Sequence, residues 1–280
     1  MTTIHLAPDP SDTLGSRIKW AVVDCWTILI QEMAHLVRQP SNFAWQLGFP
    51  IVMVLMFVYV FGSAMDVSGQ GAGAGYLEFA MPGLFAMTMA FGFMNTAFAV
   101  TMIKERGFID RFRSMPMASS AVVTGRGLAD VIHATVDLAI LVVIALVLGW
   151  RPGGSLAATL TAFALLLWLR TALIFVGIQL GLMLKNTEAA GNLFALAFPF
   201  GMVSSVFAPP DLMPGWLGAV AAWNPVSSTA GAIRELFESP AVAGGYWIEE
   251  HAVTTAVLWP AVITAIFLPL AVRQYQRLSR

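Results

Sequence analysis

Four ionisable side chains stand inside long apolar stretches of the sequence. Asp130, His133 and Asp137 recur at positions i, i+3 and i+7, which puts them on one face of a helix. Arg170 lies about 14 residues from either end of the next apolar stretch, so at about 1.5 Å per residue it reaches nearly the depth of Asp137. Because an isolated charge at the centre of a bilayer costs about 2.5–3.5 kcal/mol, we predict an intramembrane charged pair of Asp137 and Arg170. The pair is either structural or part of a polar pathway.

A charged segment with aromatic residues follows another apolar stretch. Residues 104–117 carry four apolar side chains at helical spacing among basic and acidic ones. The apolar residues are Phe108, Ile109, Phe112 and Met115. Apolar anchors inside a charged rim are typical of a surface that binds a partner protein. A basic anchor at the lipid headgroups is the alternative, and the residue pattern alone favours neither.

The sequence carries none of the common motifs for nucleotide binding, hydrolysis or metal binding. It has no GxxxxGK[ST] motif, whose backbone amides would hold phosphates, and neither GxSxG nor HExxH. The single cysteine, Cys25, excludes an internal disulfide and a multi-cysteine metal site. We therefore expect no catalytic residue, no metal site and no cofactor on this chain.

The composition is that of a membrane protein. With 58% hydrophobic residues, 11% charged residues and a mean hydropathy of +0.76, the chain differs from soluble domains, in which about 25% of residues are charged. Helices of about 20 apolar residues cross the roughly 30 Å hydrocarbon core. Six such stretches predict an all-α integral membrane protein with one transmembrane domain over residues 1–280. The predicted spans are 43–63, 78–102, 128–149, 156–184, 189–207 and 251–272.

The basic residues indicate an orientation, because cytoplasmic loops retain an excess of Lys and Arg. With the N-terminus inside, twelve of the 15 Lys and Arg residues fall on the cytoplasmic side. We therefore expect a multi-pass protein of the cytoplasmic (plasma) membrane with both termini in the cytoplasm. Loop 104–126 is then cytoplasmic and loop 208–250 lies outside.

Two segments outside the spans have patterns of their own. Residues 17–38 have apolar positions at helical spacing, which predicts an N-terminal amphipathic helix on the inner membrane interface, or a cytosolic helix packed on protein. Residues 208–250 begin with a Pro-rich run and continue with Trp216, Leu217 and Trp223. There we predict a short outer re-entrant helical hairpin, with a small extracellular cap as the alternative.

The charged inner segment also carries a resemblance to a known family. The run from Glu105 to Pro116, with RFRSMPM at 111–117, resembles the inner-loop signature of ABC-2-type transporter membrane (permease) subunits, in the daunorubicin/doxorubicin-resistance exporter branch. The runs NPVS at 224–227 and AIR at 232–234 resemble that family's outer segment before the last span. The order of interfacial helix, six spans, inner loop and outer hairpin matches the family along nearly the whole chain.

The resemblance implies a cytoplasmic coupling helix that docks on a separate ABC ATPase subunit. Two membrane subunits, identical or homologous, would enclose the path, and two ATPase subunits would bind ATP and Mg. The implied contact residues, none of them catalytic, are Glu105, Arg106, Gly107, Asp110, Arg111, Phe112, Arg113, Met115 and Pro116.

On this basis we expect the membrane-spanning subunit of an ATP-driven exporter that moves an amphipathic drug, antibiotic or lipid out of the cell. Its partners would be the bilayer and the other subunits, not nucleic acid. The alternative is a non-transporting membrane scaffold or sensor that recruits a cytosolic partner through its basic inner loop. Inverted repeats and paired broken helices, which mark many secondary transporters, are not evident in the sequence.

Overall fold

The described part of the chain is all-helical. The computed structural model describes residues 48, 50–56, 59, 74–106, 119–207, 210–239 and 245–278, and no strand occurs among them. Residues 50–56 are helical. The further elements are α1 (Ala74–Glu105), α2 (Ser119–Val147), α3 (Leu156–Met183), α4 (Thr187–Met202), a 3₁₀ turn (Pro210–Leu212), α5 (Gly215–Ala222), α6 (Pro225–Leu236), α7 (Trp247–Glu250) and α8 (Ala252–Leu278).

Four of these helices are long and apolar enough to cross a membrane. The parts that qualify are Leu77–Glu105, Val123–Val147, Leu156–Met183 and Ala252–Leu278. They coincide with the second, third, fourth and sixth spans predicted from the sequence. The prediction of a helical membrane protein with several spans is therefore confirmed.

The two remaining predicted spans are not confirmed as spans. The first, 43–63, is described only in part, and its residues 50–56 are helical. The fifth, 189–207, corresponds to α4, which has 16 residues and ends at Met202. At about 1.5 Å per residue α4 is about 24 Å long, shorter than the roughly 30 Å hydrocarbon core. Residues 203–207 after it are not helical.

Helices α1 and α3 pack closely and run in the same direction. A Cβ added at Gly177 of α3 would lie 2.5 Å from the carbonyl oxygen of Phe93 in α1. One turn further on, a Cβ at Gly181 would lie 2.6 Å from the carbonyl oxygen of Ala97. No side chain fits at either position, so the GxxxG spacing brings the two backbones together along a full turn.

An aromatic cluster closes the end of the bundle where α2 turns into α3. The Trp150 ring is fully buried and meets the rings of Phe85 and Phe237 edge to face, at centroid distances of 5.3 and 5.2 Å. Phe163 contacts Phe237 in the same way at 5.7 Å. These contacts join α1, α2, α3 and α6 at this end.

A buried arginine ties α6 to the residues that follow α4. Arg234 is 5% exposed and donates hydrogen bonds to the carbonyl oxygens of Ser205 and Val206, both at 3.0 Å, and of Phe79 at 3.3 Å. The guanidinium also lies 4.3 Å from the centre of the Phe79 ring.

Two further predictions concern segments outside the long helices. Segment 208–250 contains three short helices among its described residues, and its re-entrant position stays a prediction. The predicted interfacial helix, 17–38, lies outside the described residues.

Candidate functional site

Charged side chains meet between α1, α2 and α3, deep in the bundle. Asp130 and Asp137 of α2 and Arg170 of α3 are all more than nine-tenths buried. Asp130 forms an ion pair with Arg126 at 3.0 Å and accepts a hydrogen bond from the Thr96 hydroxyl of α1 at 2.8 Å. The carboxylates of Asp130 and Asp137 both lie close enough to Arg170 to interact electrostatically with its guanidinium. We call these five residues the polar cluster.

The helical repeat explains why α2 can supply three members of the polar cluster. Arg126, Asp130 and Asp137 follow at steps of four and seven residues, so they lie on one face of the helix. At about 1.5 Å per residue, the two aspartates lie about 10 Å apart along the axis. Two arginines and two aspartates make the cluster formally neutral. Mutual compensation lowers the cost of burying these charges, which would be large for any of them alone.

The guanidinium of Arg170 rests against the backbone of α1 at Gly92. A Cβ added at Gly92 would overlap Nη1 and Cζ of Arg170, so only glycine leaves room for this arrangement. Nη1 makes no hydrogen bond within the part of the chain that the structure describes. Arg170 therefore keeps donor capacity that a shift of the neighbouring helices could engage.

The structure brings the two sequence-predicted intramembrane residues into one cluster on adjacent helices. Direct pairing of Asp137 with Arg170 stays a prediction. Asp130 forms an ion pair with Arg126. The i, i+4 spacing of Arg126 and Asp130 is the sequence signal that could have identified it. Gly92 offered no signal, because its role depends on how α1 packs against α3.

The predicted coupling segment begins in the described part of the chain. Helix α1 ends at Glu105, and Arg106 follows it in a turn. Glu105 is exposed, and its Oε2 accepts a hydrogen bond from the backbone amide of Thr187 at 3.2 Å. The other predicted contact residues lie outside the described residues, and their role stays a prediction. They are Gly107, Asp110, Arg111, Phe112, Arg113, Met115 and Pro116.

Known proteins resemble this chain over most of its length. The model of the ABC-2 type transporter family matches residues 23–237. The daunorubicin resistance ABC transporter permease protein DrrB1 of Streptomyces coeruleorubidus is 30% identical over 228 residues, which cover 81% of this chain and 77% of that protein. The putative transport permease ycf38 of Cyanophora paradoxa is 25% identical over 207 residues, which cover 72% of this chain and 70% of that protein. The family match includes the polar cluster and the whole segment between α1 and α2.

Proposed function

This chain belongs to the ABC-2 type transporter family, and from that premise we propose that it is the membrane subunit of an ATP-driven exporter. The family consists of transport permeases and not of catalytic enzymes, and membership implies association with an ABC ATPase and a bilayer. The proposed substrate is an amphipathic drug, antibiotic or lipid, which would leave the cell across the cytoplasmic membrane. Both termini would lie in the cytoplasm.

The observation that carries this proposal is the family match over residues 23–237 in a chain without a GxxxxGK[ST] motif. A permease without that motif needs ATP hydrolysis on another chain, where ATP and Mg would bind. Two copies of the ATPase and a second membrane subunit, identical or homologous, would complete the transporter. The 30% identical relative is a daunorubicin resistance permease, which supports an amphipathic substrate.

The proposed contact with the ATPase is the segment between α1 and α2, with Phe112 as its apolar anchor. This segment joins two helices that each contribute to the polar cluster, so its movement would change the distances among the cluster's charges. Arg170 is attracted by both Asp130 and Asp137. A shift of its guanidinium toward Asp137 would leave Asp130 paired with Arg126, so each carboxylate would keep a cationic partner.

A pair of variants in the coupling segment tests the proposal. A buried aromatic anchor at a protein interface can carry about 2 kcal/mol or more, roughly thirtyfold in affinity, whereas charges at the rim carry less. Replacing Phe112 by Ala should therefore weaken ATPase co-purification, stimulated ATP hydrolysis and efflux more than Arg113→Ala does. Membrane insertion should be unchanged, since this segment lies outside the predicted spans.

The two variants are compared in membranes with matched expression of the chain. Loss of co-purification in Phe112→Ala supports docking through this segment. Unchanged co-purification and efflux in both variants would reduce the segment to an anchor at the lipid surface. Recovery of a partner that lacks ATPase activity would favour the scaffold or sensor.

A further inference from the structure

The last turn of α1 holds the C-terminal end of α3. Lys104 donates hydrogen bonds from Nζ to the carbonyl oxygens of Leu182 and Leu184, at 2.9 and 2.7 Å. The last carbonyls of a helix have no partner within the helix and form the negative end of its dipole. A partly buried ammonium group therefore caps α3 with both a charge and two hydrogen bonds.

The next residue of α1 holds the N-terminal end of α4. Glu105 accepts the hydrogen bond from the amide of Thr187, the first residue of α4, at 3.2 Å. The first amides of a helix also lack partners within the helix, and they form the positive end of the dipole. Two adjacent residues of opposite charge thus bind the two sides of a connection only three residues long, 184–186.

Next to these caps, α1 and α3 are also joined by a buried hydrogen bond and close packing. The Thr101 hydroxyl hydrogen-bonds the carbonyl oxygen of Gly181 at 3.1 Å, within the turn at which Gly181 lies against the α1 backbone. Thr101 and Gly181 are buried, and the backbones of α1 and α3 are in close contact there. A movement of the end of α1 along its axis would therefore strain these contacts unless the end of α3 moved with it.

From these contacts we infer that Lys104 and Glu105 are positioning residues that transmit movement of the coupling segment to α3 and α4. The inference rests on the proposed function, because it needs an ATP-driven movement of the segment that follows α1. It assigns Glu105 an internal role in place of the predicted contact with the ATPase. Arg170 lies 13 residues before the end of α3, about 20 Å along the helix. The polar cluster would then receive the movement through α3 as well as through α1 and α2.

Single variants with rescue partners test the two caps. Lys104→Met and Glu105→Ala should keep normal membrane insertion and ATPase co-purification, but efflux per ATP hydrolysed should fall at least about threefold. Lys104→Arg and Glu105→Gln, which retain a donor and an acceptor, should recover most of the loss. The matched controls are Lys185→Met and Glu188→Ala, exposed residues on and beside the same connection, which should behave as the unchanged chain.

The results separate this inference from the proposed function. If Glu105→Ala loses the ATPase as Phe112→Ala does, Glu105 is an ATPase contact and the internal role is wrong. If Phe112→Ala abolishes efflux while neither cap variant changes it, the exporter stands and the transmission through the caps falls. If Phe112→Ala changes nothing but the cap variants lose efflux, the docking site is wrong and the caps stand.

A cross-link provides a second measurement, because it tests whether the contact between Glu105 and the start of α4 stays closed during transport. Glu105→Cys and Thr187→Cys, made together in a Cys25→Ser background, place two thiols that a short bifunctional reagent can join. We infer that the contact between the end of α1 and the start of α4 stays closed through the transport cycle. The cross-linked protein should therefore keep its efflux, at a higher rate than the same cysteine variant without the cross-link. If the cross-link blocks efflux, the contact between α1 and α4 must open during transport, and the inference would be overturned.

Discussion

Replacing Gly92 by alanine tests whether the contact between the Arg170 guanidinium and the α1 backbone stabilises the bundle. The added methyl group would overlap Nη1 and Cζ of the guanidinium. To reach an ordinary van der Waals distance, the guanidinium must move by more than about 1 Å. It would move within a tightly packed bundle and away from the α1 backbone at Gly92.

The expected cost follows from packing. Overpacking a well-filled core by one methyl group costs about 1–3 kcal/mol. For a chain of this size we expect the thermal midpoint to fall by roughly 3–10 °C. The matched control is Gly191→Ala in α4, where nothing lies within 4 Å of an added Cβ. That control should be neutral or gain up to about 1 kcal/mol, because alanine is the better helix former.

The measurement is thermal unfolding of the detergent-purified protein, followed by the loss of monodisperse material, together with efflux in membranes. A double-mutant cycle with Arg170→Met assigns the effect to the guanidinium, since the coupling between the two changes should reach about 1 kcal/mol or more. The described contact of Arg170 with Gly92 is wrong if Gly92→Ala lowers the thermal midpoint no more than Gly191→Ala does. It is also wrong if Gly92→Ala lowers the midpoint equally when residue 170 is replaced by Met.

Three further predictions concern the outer end and the orientation. Arg234→Met removes hydrogen bonds to three carbonyl oxygens and should cost about 3 kcal/mol, which would lower the thermal midpoint. A shift no larger than that of Gly191→Ala would mean that the buried hydrogen bonds of Arg234 do not stabilise the fold. Burial raises the pKa of Glu249; the hydrogen bond from the Tyr246 amide opposes this shift, and nearby Asp211 adds to it. The group therefore stabilises the fold below its unfolded pKa, and this contribution is lost as pH rises through its folded pKa. Glu249→Gln should therefore gain stability relative to the unchanged chain as pH rises through that range, and a difference independent of pH would refute this. Reporter fusions at both termini should show a cytoplasmic location, and activity of a periplasm-only reporter at either terminus would reject the orientation.

Hydropathy predicts the long helices well because the cause is local. In lipid each spanning segment must satisfy its own backbone hydrogen bonds, so about 20 apolar residues in sequence suffice to indicate a helix. The sequence does not predict where α4 ends, at Met202, because the residues that follow it, VSSVF at 203–207, include no proline or glycine that would end a helix. Arg234 falls in the predicted outer loop 208–250, where a basic residue is expected to be solvated, yet its carbonyl partners lie 28 or more positions away in the chain.

The polar cluster shows the same division between local and distant information. Helical spacing placed Asp130 and Asp137 on one face, and counting residues placed Arg170 at a similar depth. The positions of Asp130 and Asp137 around Arg170 depend on the rotation of α2 against α3, which no local pattern encodes. The seat at Gly92 and the caps by Lys104 follow from the close α1–α3 packing, of which the sequence contained only the GxxxG spacing.

Purification of the chain from its native membranes in mild detergent tests the central claim most directly. The sample is analysed for bound proteins, their stoichiometry and ATP hydrolysis. An exporter subunit should carry a protein with the GxxxxGK[ST] motif, two copies for each pair of membrane subunits, and the complex should hydrolyse ATP at a rate that Phe112→Ala lowers. A chain that purifies free of any such ATPase, or with a partner that hydrolyses no ATP, would contradict the claim.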